Sequence, residues 1–371
     1  MKIGLLGFGS MGRTHLYSVR NIPFFFNGEY NIEVASVCTA HLDKARDTAT
    51  RFSIPNYSDN EDDIIYNSEI DIIDVCTPNI YHYNTVKKAI LAGKHVYCEK
   101  PLAVTYEQAR ELATLAKEKG VICGIVFNNR FLSPILKAKE LVENDKLGKI
   151  ISFSIKYLHS SALDTNKNAG WKQDRDICGG GTFFDLGPHV VDLIYYLCGE
   201  FDEVMGKAQI AYPERKGVDG STWQTNADEA FYMLATLKNG AHGTIEVSKI
   251  TTGANDDLRF EIHGEKGSIM FDLMQPNYLE LYDATVKDGD YGTRGYKTIE
   301  CVNRYPSPAG IFPGQKAPIG WLRGHIGSYF EFIKSVFENK QFSPSLDDGA
   351  YVQKILECAT ISSKENRWIK I

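Results

Sequence analysis

A carboxylate and an imidazole stand four residues apart in this chain, Asp185 and His189, just behind the run Gly179-Gly180-Gly181. In one continuous helix such residues share a face. Pro188 lies between them and lacks the amide that a helix interior needs. The alternative is a helix that begins near Gly187, with the proline harmless in its first turn. Either way the pair lies within about one turn, an acid/base couple of the kind that moves protons near neutral pH. A third chemical group is Lys100, placed by Glu99-Lys100-Pro101 directly after the apolar run Val96-Tyr97-Cys98. A lysine at the end of a buried strand can put positive charge beside a reacting oxygen.

What such a group would act with is set by the N-terminus. The strand-like Lys2-Ile3-Gly4-Leu5-Leu6 runs into Gly7-Phe8-Gly9-Ser10-Met11-Gly12 and then a helical stretch to about Arg20. Strand, glycines and helix in that order are the context of a dinucleotide fingerprint. Gly7 permits the tight turn, Gly9 lets a pyrophosphate reach the backbone, and Gly12 lets helix and strand pack closely. The helix N-terminus then offers free amides and partial positive charge to phosphate. The next strand, Val34 to Cys38, ends at Thr39, where an NAD-type site carries an acid for the ribose hydroxyls. Glu33 precedes that strand and is at the wrong end of it. A neutral Thr39 followed by His41, Lys44 and Arg46 does not repel a 2′-phosphate, which leans towards NADP(H) over NAD(H). The other reading of Thr39 is a cap for the helix that begins near Leu42.

These groups need a sheet to hold them. Asp71 to Cys76 leads to Thr77-Pro78-Asn79 and His82, His95 to Cys98 leads to Glu99 and Lys100, and Ile122 to Phe127 leads to Asn128. Continuous apolar strands alternating with helices indicate a doubly wound parallel sheet, whose ligands bind outside the carboxyl ends of the strands. Beyond about residue 130 the period shortens to two. Gly243 to Ile250 alternates, and Leu258–His263 with Ser268–Phe271 flank a glycine turn as a hairpin. The fold class expected is therefore an N-terminal Rossmann domain with a C-terminal, mostly antiparallel sheet domain. The boundaries expected are 1–125, 126–345 for the second-sheet domain, and 346–371 for a last helix returning across the junction. Residues 282–319, rich in glycine, proline and tyrosine, read as loop.

Composition narrows the partners. With 371 residues, 43% hydrophobic, 24% charged and a net charge of -6, the chain reads as a cytoplasmic globular protein of two domains. It shows no basic stripe for nucleic acid and no apolar run approaching the ~18 residues of a membrane span. Its eight cysteines stand singly, without the paired spacing of zinc or redox sites, and read as reduced thiols. Asp185, His189 and Asp192 can be drawn as metal ligands, but the nucleotide reading explains more residues, so no metal is expected.

In order along the chain, these motifs resemble the Gfo/Idh/MocA family of glucose-fructose oxidoreductase and inositol dehydrogenase. The resemblance spans essentially the whole length. It rests on the N-terminal glycines with His15, Thr77-Pro78-Asn79 with His82, and Ala92-Gly93-Lys94-His95-Val96 leading to Glu99-Lys100-Pro101. It continues through Arg130-Phe131, Gly170-Trp171-Lys172, and the glycine run with Asp185, His189 and Asp192. What it implies is hydride transfer between NAD(P) and a secondary alcohol or ketone of a sugar, inositol or related polyol. Lys100, Asp185 and His189 would form the catalytic group, with Glu99 near the nicotinamide ribose and a cis Lys100-Pro101 bond. Gly7 to Gly12, Thr39, Lys44, Thr77, Pro78, Asn79, His82, Glu99, Lys100 and Asn128 would line the cofactor. Trp171 and Lys172 would border substrate beside the catalytic group, and Asp192 would hold structure or orient His189. A homodimer or homotetramer through the second sheet is implied too. Two rivals share the fold: a glycosidase using NAD transiently, and a non-catalytic nucleotide-binding regulator.

Overall fold

The computed structural model describes residues 1–25, 30–217, 220–287, 292–302 and 320–371. The apolar runs of the N-terminal part form β1 (Lys2–Leu6), β2 (Glu33–Cys38), β3 (Asn56–Ser58), β4 (Ile72–Val75), β5 (His95–Cys98) and β6 (Cys123–Ile125). Between them run α1 (Ser10–Phe25), α2 (Leu42–Arg51), α3 (Asp62–Ile65), α4 (Asn79–Leu91) and α5 (Tyr106–Lys119). Every pairing is parallel and the order is β3-β2-β1-β4-β5-β6, the doubly wound order of a Rossmann sheet. Because helices cover both faces, the strands are buried almost throughout, which is why they read as unbroken apolar runs.

After a 3₁₀ turn at Asn128–Phe131 come α6 (Ser133–Glu143), β7 (Ile150–Leu158), α7 (Arg175–Cys178), α8 (Thr182–Asp185) and α9 (Gly187–Cys198). Then follow β8 (Phe201–Gln209), β9 (Glu214–Lys216), β10 (Thr222–Gln224), β11 (Ala230–Leu237) and β12 (His242–Ser248). The sheet continues with β13 (Asp257–Gly264), β14 (Gly267–Asp272), β15 (Tyr278–Asp283) and β16 (Tyr296–Glu300). The chain closes with α10 (Trp321–Phe337), α11 (Leu346–Glu365) and β17 (Ile369–Lys370).

Nine of these strands form one mixed sheet, β16-β15-β14-β13-β7-β12-β11-β8-β17, antiparallel except for the β7–β12 pair. Alternation decides its faces. On β13, Leu258, Phe260 and Ile262 are buried while Arg259 and Glu261 are exposed. Phe260 packs on Phe271 of the next strand, and the β13–β14 hairpin pairs Ile262 with Ile269 as the glycine turn requires. Strand β16 and the last two residues of β15 occupy the stretch expected to be loop. Cross-strand pairing of Tyr282 with Tyr296 supplies the order that the glycines and prolines concealed. Residues 288–291 and 303–319 of that stretch lie outside the described residues.

The chain divides by contacts into two units, residues 1–131 with 321–353, and residues 132–302 with 354–371. The division differs from the expected 126–345 body. Helix α10 belongs with the first unit because its apolar side, Ile326, Tyr329, Phe330, Phe332 and Ile333, joins the core that also contains Leu16, Val19 and Ile22 of α1. No helix of the described residues is long and apolar enough to cross a membrane. All eight cysteines are free thiols, Cys76 and Cys358 partly buried and the others buried.

Candidate active site

In the first unit the carboxyl ends of the parallel strands carry the expected cofactor residues to one rim. Gly7 has a φ of +90° and a side chain there would meet Cys76 O at 2.5 Å. A side chain on Gly12 would meet Gly7 O at 2.2 Å. Gly9 faces open space, with nothing within 4 Å of where its Cβ would stand. Two glycines are thus demanded by the turn, and the third leaves the backbone of the α1 N-terminus approachable, as a pyrophosphate requires. Thr77 adds a buried hydroxyl with no hydrogen-bond partner among the described residues. Such a group fits a polar ligand at the rim. Phe8 is buried against Phe52, while Ser10 and Met11 open α1.

Beneath the rim lies a buried ionic network. His15 Nδ1 is 2.9 and 3.1 Å from the two oxygens of Asp74, and its Nε2 is 3.1 Å from Glu99 Oε1. Tyr329 of α10 donates to Asp74 Oδ2 at 3.0 Å, and the Lys100 amide donates to Glu99 Oε2 at 3.1 Å. Burial opposes a charged His15, but the Asp74 carboxylate outweighs it and raises the imidazole well above its ordinary value. Burial likewise would raise Glu99, yet the hydrogen bond and charge of His15, helped by Lys100, bring it down to about 2. Glu99 is therefore presented as a fixed carboxylate, and Lys100 follows it through a cis peptide bond to Pro101. Sequence reading named His15 only as part of a motif; its partners Asp74 and Tyr329 lie 59 and 314 residues away and had no local signal.

The remaining rim residues divide into two kinds. His82 is fully buried and sits 2.8 Å from both Pro101 O and Thr77 O, so its ring braces the loops after β4 and β5. Both of its ring nitrogens lie against main-chain oxygens. Burial is the main influence lowering its pKa. Pro78 caps α4, Asn79 begins it, and Asn128 is buried with its amide on Asn129. Thr39 donates its hydroxyl to His41 O at 2.9 Å, a local turn, while the N-cap of α2 is His41 itself. Lys44 is exposed in the first turn of α2, and Arg46 pairs with Asp43 at 2.7 Å.

In the second unit the stretch from Gly179 is two helices. Thr182–Asp185 makes one turn, α8, and α9 begins at Gly187 with Pro188 in its first turn. Asp185 and His189 are therefore held on successive elements, and the break at Leu186 is what the proline enforces. Gly181 is pressed against Asp228, whose backbone oxygen would be 2.3 Å from an added Cβ. Asp228 also accepts the Phe183 amide at 2.8 Å. Its burial pushes its own pKa up to about 6.

The Asp185 carboxylate is gripped by two ammonium groups. Lys172 lies at 2.8 and 3.0 Å and Lys249, just past the end of β12, at 2.5 Å. Lys172 also lies over the ring of half-exposed Trp171, 5.5 Å from its centroid. The His189 ring meets Tyr157 edge-on at 5.9 Å. Tyr157 donates to Asp256 at 2.6 Å, and Asp256 pairs with His159 at 3.1 Å. Burial would raise Asp256, but His159 and Tyr157 hold it below the ordinary carboxylate range. Asp192 is buried one turn beyond His189. This polar cluster can exchange a proton and read hydroxyl groups. An aspartate neutralised by two lysines is a poor metal ligand, which removes the reason for drawing zinc here. Lys249 and Tyr157 were not anticipated; only their strand ends marked them.

Two family models match the chain. Residues 1–127 match an oxidoreductase family with an NAD-binding Rossmann fold, and residues 135–270 match the GFO/IDH/MocA C-terminal domain. Levoglucosan dehydrogenase of Pseudarthrobacter phenanthrenivorans is 30% identical, over 100% of this chain and 98% of its own length. Glucose-6-phosphate 3-dehydrogenase of Bacillus subtilis is 26% identical over 96% and 94%. A solved levoglucosan dehydrogenase, in complex with NADH and L-sorbose, superposes with a TM-score of 0.95 at 30% identity, covering 100% of this chain and 98% of that one.

Proposed function

The chain belongs to the Gfo/Idh/MocA oxidoreductase family, and on that premise we propose how its residues divide the work of exchanging hydride with a sugar. It is an NAD-binding oxidoreductase of CH–OH groups in sugars and related polyols. The cofactor supplies the hydride acceptor or donor at C4 of its nicotinamide. The observation that carries the assignment is the cluster of the second unit, with His189 beside a hydroxyl-reading set and Asp185 held as an anion by Lys172 and Lys249.

In this reading His189 accepts the hydroxyl proton of a secondary alcohol as the carbon loses its hydride. Lys100 stabilises the developing alkoxide, and Asp185 orients the reacting sugar through a neighbouring hydroxyl. Run in reverse, the same groups reduce a ketone. Gly7 to Gly12 and Thr77 hold the dinucleotide, and Glu99 takes the nicotinamide ribose. Trp171 and Lys172 border the substrate. The test is a panel of pyranoses, inositols and their keto forms assayed with NAD(P). Sugar oxidised in one-to-one stoichiometry with reduced cofactor supports the reading. Glycoside cleavage without net reduction would replace it with transient redox, and binding without turnover across the panel with a regulator.

The absence of an acid at the end of β2 supports use of NADP(H) as well as NAD(H), since Thr39 presents no carboxylate to a 2′-phosphate and Lys44 is exposed nearby. A Thr39→Asp variant is expected to bind NADPH at least about tenfold more weakly, or 1.4 kcal/mol, with NADH binding unchanged or tighter. Equal affinities for NADPH in the two proteins by calorimetry would remove Thr39 from cofactor choice.

The outward face of the nine-stranded sheet carries half-exposed Tyr232 and Leu234, which supports a homo-oligomer formed through that face. Sedimentation should find a dimer or tetramer that Leu234→Lys weakens. A monomeric wild-type protein would dismiss the interface.

A further inference from the structure

Helix α10 brings a buried cation to the cofactor unit that nothing in the fingerprint accounts for. Arg323, in its first turn, is only 4% exposed. None of its three guanidinium nitrogens, Nε, Nη1 and Nη2, has a hydrogen-bond partner among the described residues. Burial alone acts on it, lowering its pKa to about 10, with no carboxylate opposing. A buried guanidinium left unpaired is costly, and proteins keep one where an anion completes it. Arginine suits that task because its planar fork meets two phosphate oxygens at once.

The position of the helix says which anion. Helix α10 packs against α1. His325 lies 6.2 Å from His15 and Tyr329 5.7 Å from it, ring to ring, while Phe330 and Phe337 meet Tyr30, beyond the C-terminal end of α1. The N-terminal halves of the two helices therefore lie side by side. One of them starts at the glycine loop, with Gly9 open beside it. Two positive helix ends and one guanidinium without a partner among the described residues suit a shared anion.

We propose that Arg323 is a ligand of the dinucleotide's pyrophosphate, closing on it together with the glycine loop. The proposal rests on the nicotinamide-dinucleotide reading and adds a residue from a helix some 310 positions beyond the fingerprint. It explains why a guanidinium is kept buried in the first turn of this helix.

Full-length wild type, Arg323→Gln and Arg323→Lys should be titrated calorimetrically with NADH, ADP-ribose and glucose 6-phosphate. Arg323→Gln is expected to weaken NADH and ADP-ribose alike by about tenfold or more, with Arg323→Lys intermediate because it keeps the charge but loses the fork. The ligand-free Arg323→Gln protein should melt no lower than wild type, since the change removes an unpaired buried charge. Wild-type affinities for NADH and ADP-ribose in a folded Arg323→Gln protein overturn the proposal, as does a lowered melting point with affinity unchanged. A loss confined to glucose 6-phosphate overturns it too and assigns the anion to substrate. Should Arg323→Gln fail to fold, inorganic pyrophosphate decides on wild type: it must raise the melting temperature and compete with NADH, and failure to compete at millimolar concentration overturns the proposal. A wild-type protein that binds no nicotinamide dinucleotide would instead remove the reading on which all of this rests.

Discussion

Replacing His189 with Ala, or Lys100 with Met, is expected to lower turnover by roughly two or more orders of magnitude while NADH still binds with near wild-type affinity. The two losses have different causes. Without His189 the alcohol proton has no acceptor, so the fall in oxidation rate on the acid side of the pH profile, where imidazole takes up its proton, should vanish with the residue. Without Lys100 the charge growing on the substrate oxygen goes uncompensated, and the deficit should persist across the whole profile. Combining the changes should cost far less than the sum, because the groups serve one transfer. Near-normal turnover in both single variants would remove the assignment.

The second large effect concerns a residue predicted to touch no substrate. His15→Ala leaves Asp74 and Glu99 buried without their shared cation, a defect of about 3–5 kcal/mol. NADH affinity should fall as well, because Glu99 loses the partner that keeps it ionised. The pH dependence of stability carries the same signature. Glu99 has a native pKa lowered from 4.5 to about 2, so its contribution is complete above about 4.5 and is lost as pH falls towards 2. His15 is raised above 6.5, so its contribution is complete below that value and is lost as pH rises through the native pKa. Wild type should therefore be most stable between about 4.5 and 6.5 as far as these two groups decide. Urea melts of His15→Ala on either side of that range, below about 4.5 and above about 6.5, should show both slopes reduced. A variant as stable as wild type, with the same pH profile, would mean the network does not bear the charges drawn for it.

Much of this molecule follows from local pattern. Strand, glycines and helix at residues 2–20 need only their own φ preferences and apolar period to make the β1–α1 turn, and Gly7 at φ +90° is what that turn demands. The unbroken apolar strands fixed a parallel sheet, and alternation at 258–271 fixed a hairpin, because burial on two faces or on one is written in the period of the side chains. Pro188 was enough to place the start of α9, although the sequence left two placements open.

Tertiary structure decided what depends on distant groups. The reading of residues 282–319 as loop missed β16 and the end of β15 because a strand at a sheet edge is stabilised by its neighbour more than by its own composition. The place of helix α10 in the first unit follows from packing on α1, which no window of residues reveals. The same holds for charge. Asp185 and His189 were legible as a pair, but only folding showed Asp185 between Lys172 and Lys249, and only folding set His15 between Asp74 and Glu99. Sequence supplies the ionisable groups and their local geometry. Their protonation states depend on burial and on partners tens to hundreds of residues away, and those exist only once the chain is folded.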